Sequence, residues 1–417
     1  MTLSLRGWFG IVLWKRILLA LVLGAIAGLL IGEGVTAISW IGELFIRLIK
    51  MMIVPLVFLT LVSGVISMDD PKRLGSIGGK AALLFLLTTA FAILIGLLLA
   101  AVLQPGAGVD LSTAAPAEIG APVSLTERLL AIVPENPFEA FANADLLAII
   151  FFALLTGTTL LLVGPSGKPL RDVFTAGSDL MLKMTGIVME AAPFGVFALV
   201  AVVMGTSGPE TFLYLFMLAA VVLTGCVCHI LLTHTLFVRL FARLPVGPFL
   251  KGVREAQLVA FSTSSSSATL PASMSAAENN LGIKPAVASS VLPLGATINM
   301  DGTAMYVAIV TVFAAQAFGM PLDMTDYMLI GLTTVLVSVG TASVPSASLF
   351  LLAAVLETIG MTPAQTGMVV GFILPFDRIL DMSRTVVNIT GDLCVASIVA
   401  RWEGDIDTDL YCEKPRM

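Results

Sequence analysis

The run STSSSSATLP, residues 262–271, places six consecutive hydroxyl side chains and a proline inside an apolar region. The apolar arms around it are too short to cross a bilayer, because a spanning helix needs about 20 residues. A similar stretch, SVGTASVPSAS at residues 338–348, also has a short helix-like arm on each side. Paired, proline-interrupted segments are typical of inverted repeats around a midplane site. We therefore predict two re-entrant helical hairpins.

A pair of serine-rich helices packed through their small residues is the alternative to these hairpins. Six successive hydroxyl groups exceed what such packing requires, which favours the hairpins. The distribution of Lys and Arg opens the first hairpin to the cytoplasm and the second to the outside.

The composition predicts an all-α polytopic membrane protein. Of 417 residues, 58% are hydrophobic and 12% are charged, and the mean hydropathy is +1.01. No basic cluster indicates nucleic acid, and no cleavage site for a signal peptide follows the first apolar stretch. Positive charge in alternate loops places both termini in the cytoplasm. Six ordinary spans, with kinks at Pro55 and Pro193, are predicted at about residues 11–31, 40–66, 80–103, 143–163, 174–205 and 210–241.

A polar stripe follows in the run DMSRTVVNITGD, residues 381–392. Its polar members are spaced at i, i+3, i+4, i+7 and i+11, which places them on one face of a helix. Ionised groups at membrane depth cost about 2.5–3.5 kcal/mol each on insertion scales, so they usually line a site. We therefore expect substrate to bind along Asp381, Arg384, Thr385, Asn388 and Asp392.

A second polar cluster lies in LGATINMDGT, residues 294–303, where two glycines bracket Asn299 and Asp301. Unwinding of a helix there would free backbone carbonyls beside a carboxylate and an amide, which are oxygen ligands for a small cation. Thr88 and Thr89 are candidate additional ligands. A neutral, structural Asp301 is the alternative.

The cysteines and histidines carry weaker signals. The four cysteines show no metal-ligand spacing, and Cys226 and Cys228 are interpreted as buried free thiols. His229 and His234 lie in the same apolar span, with no carboxylate near them in the sequence. We therefore assign the two histidines a structural or interfacial role.

Four motifs together resemble the glutamate transporter family, the dicarboxylate/amino acid:cation symporters. They are SSSSATLP at residues 264–271, NMDGT at 299–303, GTASVP at 340–345 and DMSRTVVNITGD at 381–392. The resemblance covers nearly the whole chain. It implies eight transmembrane helices plus two re-entrant hairpins, and a homotrimer in which a transport domain moves across a static scaffold as an elevator.

The resemblance also implies a division of the chain. Scaffold spans one and two would occupy residues 1–79, and span three of the transport domain residues 80–103. An extracellular loop and scaffold spans four and five would occupy residues 104–205. Residues 206–402 would complete the transport domain, and residues 403–417 would form a cytoplasmic tail.

The resemblance implies roles for single residues in binding the substrate. Arg384 matches the arginine that pairs with the side-chain carboxylate of the substrate, and Asp381 the acceptor for its amino group. Thr385 and Asn388 match further polar contacts. The remaining matches hold the α-carboxylate at the hairpins or contact the side chain, and they are Ser265, Ser266, Val344 and Thr303.

Three sodium sites are implied in the same way. The first consists of Asp392 with carbonyls of Gly295, Asn299 and Asn388. The second consists of Asp301, Asn299, Thr88, Thr89 and the Phe85 carbonyl. The third consists of carbonyls of Thr297, Met300, Ser338, Val339 and Thr341.

The chain departs from its relatives at positions that bear on coupling and specificity. Val307 stands where proton- and potassium-coupled relatives carry a glutamate, which favours sodium. Relatives carry an auxiliary arginine either in the first hairpin or just after the aspartate that corresponds to Asp381. In this chain those two positions are Ser264 and Met382. Arg378 can substitute for the auxiliary arginine, because i and i+4 share a helix face; its alternative role is to neutralise a neighbouring aspartate. Ser346 and Ser348 replace hairpin glycines, which could alter gate closure.

The leading hypothesis is therefore sodium-coupled import of L-aspartate or L-glutamate, with sodium ions as the transported cofactor and no organic cofactor. Proton-coupled uptake, or uptake of another anionic amino acid or dicarboxylate, is the alternative. The expected partners are an acidic amino acid, membrane lipid and two further copies of the chain, in the inner (plasma) membrane. An intramembrane protease is disfavoured because the G-x-S-G context is missing and Gly391–Asp392 only half fits an aspartyl motif. A channel is disfavoured because paired hairpin gates indicate alternating access.

Overall fold

The computed structural model describes residue 11 and residues 13–66, 77–109, 130, 133–143, 145–207, 209–339 and 347–412. Across these residues the chain is helical without a β-strand, and one isolated bridge joins Ile283 to Ile406. The predicted all-α class is therefore confirmed for the described part of the chain.

The first half of the chain forms seven α-helices among its described residues. They are α1 (Leu13–Ile31), α2 (Ser39–Ile66), α3 (Ile77–Leu103), α4 (Pro137–Asn143), α5 (Leu146–Val163), α6 (Lys168–Met189) and α7 (Ala192–Ser207).

Residues 174–205, predicted as one kinked span, belong to two separate helices. The helical stretch Phe151–Met189 and the segment Ala192–Thr206 are inclined by 50°. Pro193 lies in the first turn of α7, where a missing N–H breaks no intrahelical hydrogen bond. The proline therefore begins a new helix instead of bending a continuous one. Pro55, in contrast, lies inside α2.

The second half continues with shorter helices around one long one. They are α8 (Pro209–Cys228), α9 (Val246–Gly252), α10 (Arg254–Thr263), α11 (Ser266–Ser275), α12 (Pro285–Ile298), α13 (Asp301–Ala317), α14 (Met324–Val339), α15 (Ala347–Thr358), α16 (Pro363–Glu403) and α17 (Thr408–Cys412). After α8 the chain stays helical through π-helical turns at His229–His234 and Val238–Ala242.

The predicted interruptions appear as helix ends. Ser264, at φ +52°, ends α10 in the left-handed conformation, and the Ser265 hydroxyl then caps α11 by accepting from the Ala268 N–H at 3.2 Å. The two short helices pack against each other, as do α14 and α15. The tip between α14 and α15, residues 340–346, lies outside the described residues.

Four helical stretches of the described chain are long and apolar enough to cross a membrane. They are Lys15–Leu48, Ile77–Leu103, Leu213–Ala242 and Pro285–Ala317, and the bent pair around residue 190 adds a fifth if it counts as one span. This fits a polytopic membrane protein. The count of eight spans plus two hairpins stays a prediction.

The long helix α16 positions the polar residues. It packs against α10, α12 and α13, so the polar face of residues 381–392 points into protein. α12 and α13 are separated by a break at Asn299 and Met300, as the flanking glycines predicted. Both residues of the break are buried, which is where a membrane protein tolerates irregular backbone.

Candidate substrate and cation site

Arg384 of α16 is fully buried beside two carboxylates of its own helix. Its Nη2 donates to Asp381 Oδ1 at 2.7 Å and to Asp377 Oδ1 at 3.1 Å. The Tyr306 ring of α13 stacks against the guanidinium, with Cζ 3.8 Å from the ring centroid. The Tyr306 hydroxyl also donates to Asp377 Oδ1 at 3.3 Å. Three residues from two helices therefore hold Nη2 and one face of this guanidinium.

Two donor groups of Arg384 remain available to a ligand. Its Nε and Nη1 have no hydrogen-bond partner among the described residues. Buried donors without a partner are costly, and a hydrogen bond from a guanidinium to a carboxylate is charge-assisted and strong. The arrangement can therefore recognise an anionic group. Sequence reasoning missed Tyr306 and the contact between Asp377 and Arg384, although Asp377 lies one turn before Asp381.

Arg378 lies at the N-terminal edge of the same cluster. Only 7% of its surface is exposed, and its Nη1 is 3.9 Å from Asp381 Oδ2. Its Nε and Nη1 make no hydrogen bond with the described residues. Asp381 therefore lies between two guanidinium groups, of which only Arg384 makes a short contact with it.

Thr385 and Asn388 lie further along the face of α16. Thr385 Oγ1 donates to the Asp381 carbonyl at 2.8 Å. Asn388 Oδ1 accepts from the Gly302 N–H at 2.8 Å, and its Nδ2 contacts Met300 Sδ at 3.2 Å. Asn388 thus joins α16 to the break between α12 and α13.

The hairpin residues are placed less completely. Ser265 and Ser266 stand at the N-terminus of α11, which packs against α16. Thr303 is buried in the first turn of α13. Val344, predicted to offer its backbone, lies outside the described residues.

One group of oxygen ligands surrounds Asp392. Its Oδ1 accepts from Asn299 Nδ2 at 2.9 Å, and the Gly295 carbonyl accepts from the Asn299 N–H at 2.9 Å. A Cβ at Gly295 would come within 2.5 Å of Asp392 Oδ1, so only glycine leaves this approach open. The structure thus brings Asp392, Asn299 and Gly295 together, with Asn388 one turn away on α16.

A second group surrounds Oδ1 of Asp301. This oxygen accepts from Thr89 Oγ1 at 2.7 Å and from Thr88 Oγ1 at 3.3 Å. Thr88 Oγ1 also lies 3.1 Å from the Phe85 carbonyl and 3.4 Å from Asn299 Oδ1. All five residues predicted for the second sodium site are therefore adjacent, and their donor atoms are all oxygen.

The opposite oxygen of Asp301 faces two histidines that sequence reasoning did not place in the site. His229 Nε2 and His234 Nε2 each lie 3.2 Å from Asp301 Oδ2. Both rings are fully buried, which agrees with the structural part of the predicted structural or interfacial role. The carboxylate was missed because it is 72 and 67 residues away in the chain.

The third predicted cation site is described only in part. Ser338 is buried in the last turn of α14 and donates to the Val335 carbonyl at 2.9 Å. The Met300 carbonyl accepts from the Ala304 N–H at 2.8 Å. Thr297 lies in the last turn of α12, Val339 ends α14, and Thr341 is outside the described residues. This site stays a prediction.

Comparison with known proteins adds an independent observation. Residues 13–402 match the model of the sodium:dicarboxylate symporter family. The chain is 35% identical over 406 residues to the proton/sodium-glutamate symport protein of Geobacillus stearothermophilus, covering 94% of this chain and 95% of that protein. It is 37% identical over 395 residues to the proton/glutamate-aspartate symporter of Bacillus subtilis (strain 168), covering 93% and 94%. It is also 34% identical over 405 residues to a C4-dicarboxylate transport protein of Brucella anthropi, covering 95% and 90%.

Proposed function

Since the chain belongs to the sodium:dicarboxylate symporter family, whose members are transporters and not enzymes, we propose that it imports L-aspartate or L-glutamate together with sodium ions. The observation that carries the substrate is the pair of donors, Nε and Nη1, that the buried Arg384 guanidinium leaves without a partner among the described residues. An acidic side chain beside the guanidinium would accept hydrogen bonds from these donors. Asp381, on the same face, would then accept the substrate amino group.

The remaining substrate contacts follow from the helix ends. The N-terminus of α11, which begins at Ser266, offers backbone N–H groups and the positive end of a helix dipole. We assign the α-carboxylate to Ser265, Ser266 and the backbone near Val344. Thr303, Thr385 and Asn388 complete the polar lining. A simple C4-dicarboxylate would leave Asp381 without the amino group that it is proposed to bind.

Sodium as the coupling ion is supported by two groups of residues whose candidate ligand atoms are oxygens. Asp392 and Asn299 form one, and Asp301 Oδ1 with Thr88 and Thr89 forms the other. Carboxylate, hydroxyl and carbonyl oxygens at a broken helix are typical ligands of a transported alkali ion. The third site would form from the carbonyls at α12, the break and the second hairpin.

The proposed architecture is an elevator in a homotrimer in the plasma membrane, with both termini in the cytoplasm. Two sets of helices support the division into domains: α1 packs on α7 and α2 on α5, α6 and α7, whereas α16 packs on α10, α12 and α13. The first set would be the scaffold. The second set, together with α3 and the two hairpins, would form the transport domain that carries substrate. The whole chain would then have eight spans.

The test of this function is uptake of labelled aspartate and glutamate by purified protein in liposomes. An inward sodium gradient should drive accumulation, and a proton gradient without sodium should not. Unlabelled succinate should compete weakly. Uptake that ignores sodium but follows the pH gradient, or succinate that is transported in preference to aspartate, would overturn the proposal.

Replacement of Arg378 by methionine separates its two roles. We propose that Arg378 adds an anion-binding group to the site, so the variant should bind aspartate about tenfold more weakly, which corresponds to about 1.4 kcal/mol. The Met side chain keeps an apolar stem like that of Arg378 and removes the charge together with the N–H donors. Aspartate affinity measured calorimetrically on monodisperse protein checks this. Unchanged affinity with a lower yield of folded protein would show that Arg378 only neutralises its neighbours.

A further inference from the structure

The π-helical turn after α8 aligns the only two histidines of the chain. In an α-helix, residues five apart point in directions that differ by roughly 140°, because each residue turns the helix by about 100°. The wider π-helical turn, with its i→i+5 hydrogen bonds, reduces this difference and brings the two side chains closer to one side. The rings of His229 and His234 accordingly lie 4.5 Å apart between centroids. Such turns are frequent at functional sites.

The two imidazoles and one carboxylate oxygen converge as metal ligands do. Both Nε2 atoms lie 3.2 Å from Asp301 Oδ2, and the three atoms lie within 4.8 Å of one another. Tetrahedral bonds of about 2.0–2.2 Å place neighbouring ligand atoms about 3.3 Å apart. The two distances between nitrogen and oxygen therefore already match those of a tetrahedral site.

We propose that His229, His234 and Asp301 form a binding site for a divalent transition-metal ion of the zinc class. Two imidazole nitrogens with one carboxylate oxygen suit zinc, cobalt or nickel and not an alkali ion. The two oxygens of the Asp301 carboxylate have different contacts. Oδ1 faces the hydroxyls of Thr88 and Thr89, and Oδ2 faces the two imidazoles. Water would supply the fourth ligand.

Gly391 of α16 forms the wall of this site. A Cβ at position 391 would lie 2.9 Å from Asp301 Oδ2 and 3.2 Å from His234 Nε2. Glycine therefore keeps the space beside the three ligands open. A bound metal would join the turn after α8 to α13 and hold Asp301, which is a proposed sodium ligand. Metal binding is thus expected to inhibit transport.

The surroundings of the rings set the expected strength of binding. The Nδ1 atoms of His229 and His234 have no hydrogen-bond partner among the described residues. A metal-bound imidazole usually donates its other N–H, and loss of that partner weakens binding about 10–100-fold. We therefore expect reversible, micromolar binding, which suits an inhibitory site better than a permanent structural one.

The experiment measures zinc and cobalt binding to detergent-purified protein that carries a tag without histidine. Wild-type protein should bind one ion per chain, and bound cobalt should show the intense absorption of tetrahedral coordination. His229→Gln and His234→Gln should each weaken binding at least about tenfold. Gln can still donate an N–H to Asp301, so these variants preserve the neighbouring contact. The double variant Cys228→Ser/Cys412→Ser, which removes two thiols that are not fully buried, should bind as wild type does.

Binding that is equal in wild type and both glutamine variants would overturn the proposal. An octahedral cobalt spectrum or no binding to the wild type would do the same, and these outcomes do not depend on any variant folding. In liposomes, zinc should inhibit sodium-driven uptake by wild type and not by His229→Gln. Binding is measured without transport, so failure of the proposed transport function leaves the metal site testable.

Discussion

Replacement of Arg384 by alanine is expected to abolish uptake of aspartate and glutamate. Removing one partner of a buried, hydrogen-bonded charge pair costs about 2–5 kcal/mol. At about 1.4 kcal/mol per factor of ten, this corresponds to a loss of affinity of about 30-fold to several thousand-fold. The variant also leaves the carboxylates of Asp377 and Asp381 without the cation that faces them, and these carboxylates repel an acidic side chain. A neutral amino acid is therefore the kind of substrate that the variant could still accept.

The measurement is aspartate affinity and liposome uptake for monodisperse Arg384→Ala protein. Arg401→Ala is the matched control, because Arg401 lies on the same helix but is exposed, and it should behave as wild type. Arg384→Lys separates charge from geometry: it keeps the cation that Asp377 and Asp381 require but loses the planar fork, and it should bind aspartate with intermediate affinity. Unchanged affinity in the alanine variant would refute the assigned role of Arg384.

The sequence was sufficient to predict the parts of the site that are local. The stripe of residues 381–392 follows from helical spacing alone, and α16 runs unbroken through it. The break at Asn299 follows from its flanking glycines, since these residues weaken a helix on both sides. The end of α10 at Ser264 likewise follows from the run of hydroxyl groups beside it.

Contacts between distant segments could not be derived from periodicity. Tyr306 lies 71 residues from Asp377 in the chain, and nothing in its local sequence indicates that it stacks on a guanidinium. The histidine pair illustrates a different failure. Spacing of five residues indicates opposite faces in an α-helix, and only the π-helical turn brings His229 and His234 to one side.

The two oxygens of Asp301 have different neighbours, and only one set of these neighbours could be predicted from the sequence. Its role as a sodium ligand was predicted from the motif around it, which concerns Oδ1 and the hydroxyls of α3. The environment of Oδ2 is set by the turn after α8, which joins the site only through folding. The residue is therefore shared by a predicted alkali-ion site and by the proposed transition-metal site.

Replacement of Asp392 by asparagine is expected to raise the sodium concentration needed for half-maximal uptake at least about tenfold. The side chain is buried, and its Oδ1 accepts from Asn299 Nδ2. Asparagine keeps an oxygen that can accept this hydrogen bond but removes the negative charge. Two unit charges 4 Å apart attract by about 4 kcal/mol at an effective dielectric constant of about 20, so even a third of this energy accounts for a tenfold change.

The measurement is initial uptake of aspartate as a function of sodium concentration. The substrate face at Arg384 lies two turns away on α16, so aspartate affinity at saturating sodium should stay close to that of wild type. Asp409→Asn, which changes an exposed aspartate near the end of the described chain, is the control for loss of one negative charge. Equal sodium dependence in wild type and Asp392→Asn would remove Asp392 from the coupling site. Loss of aspartate affinity at every sodium concentration would instead place Asp392 in the substrate site.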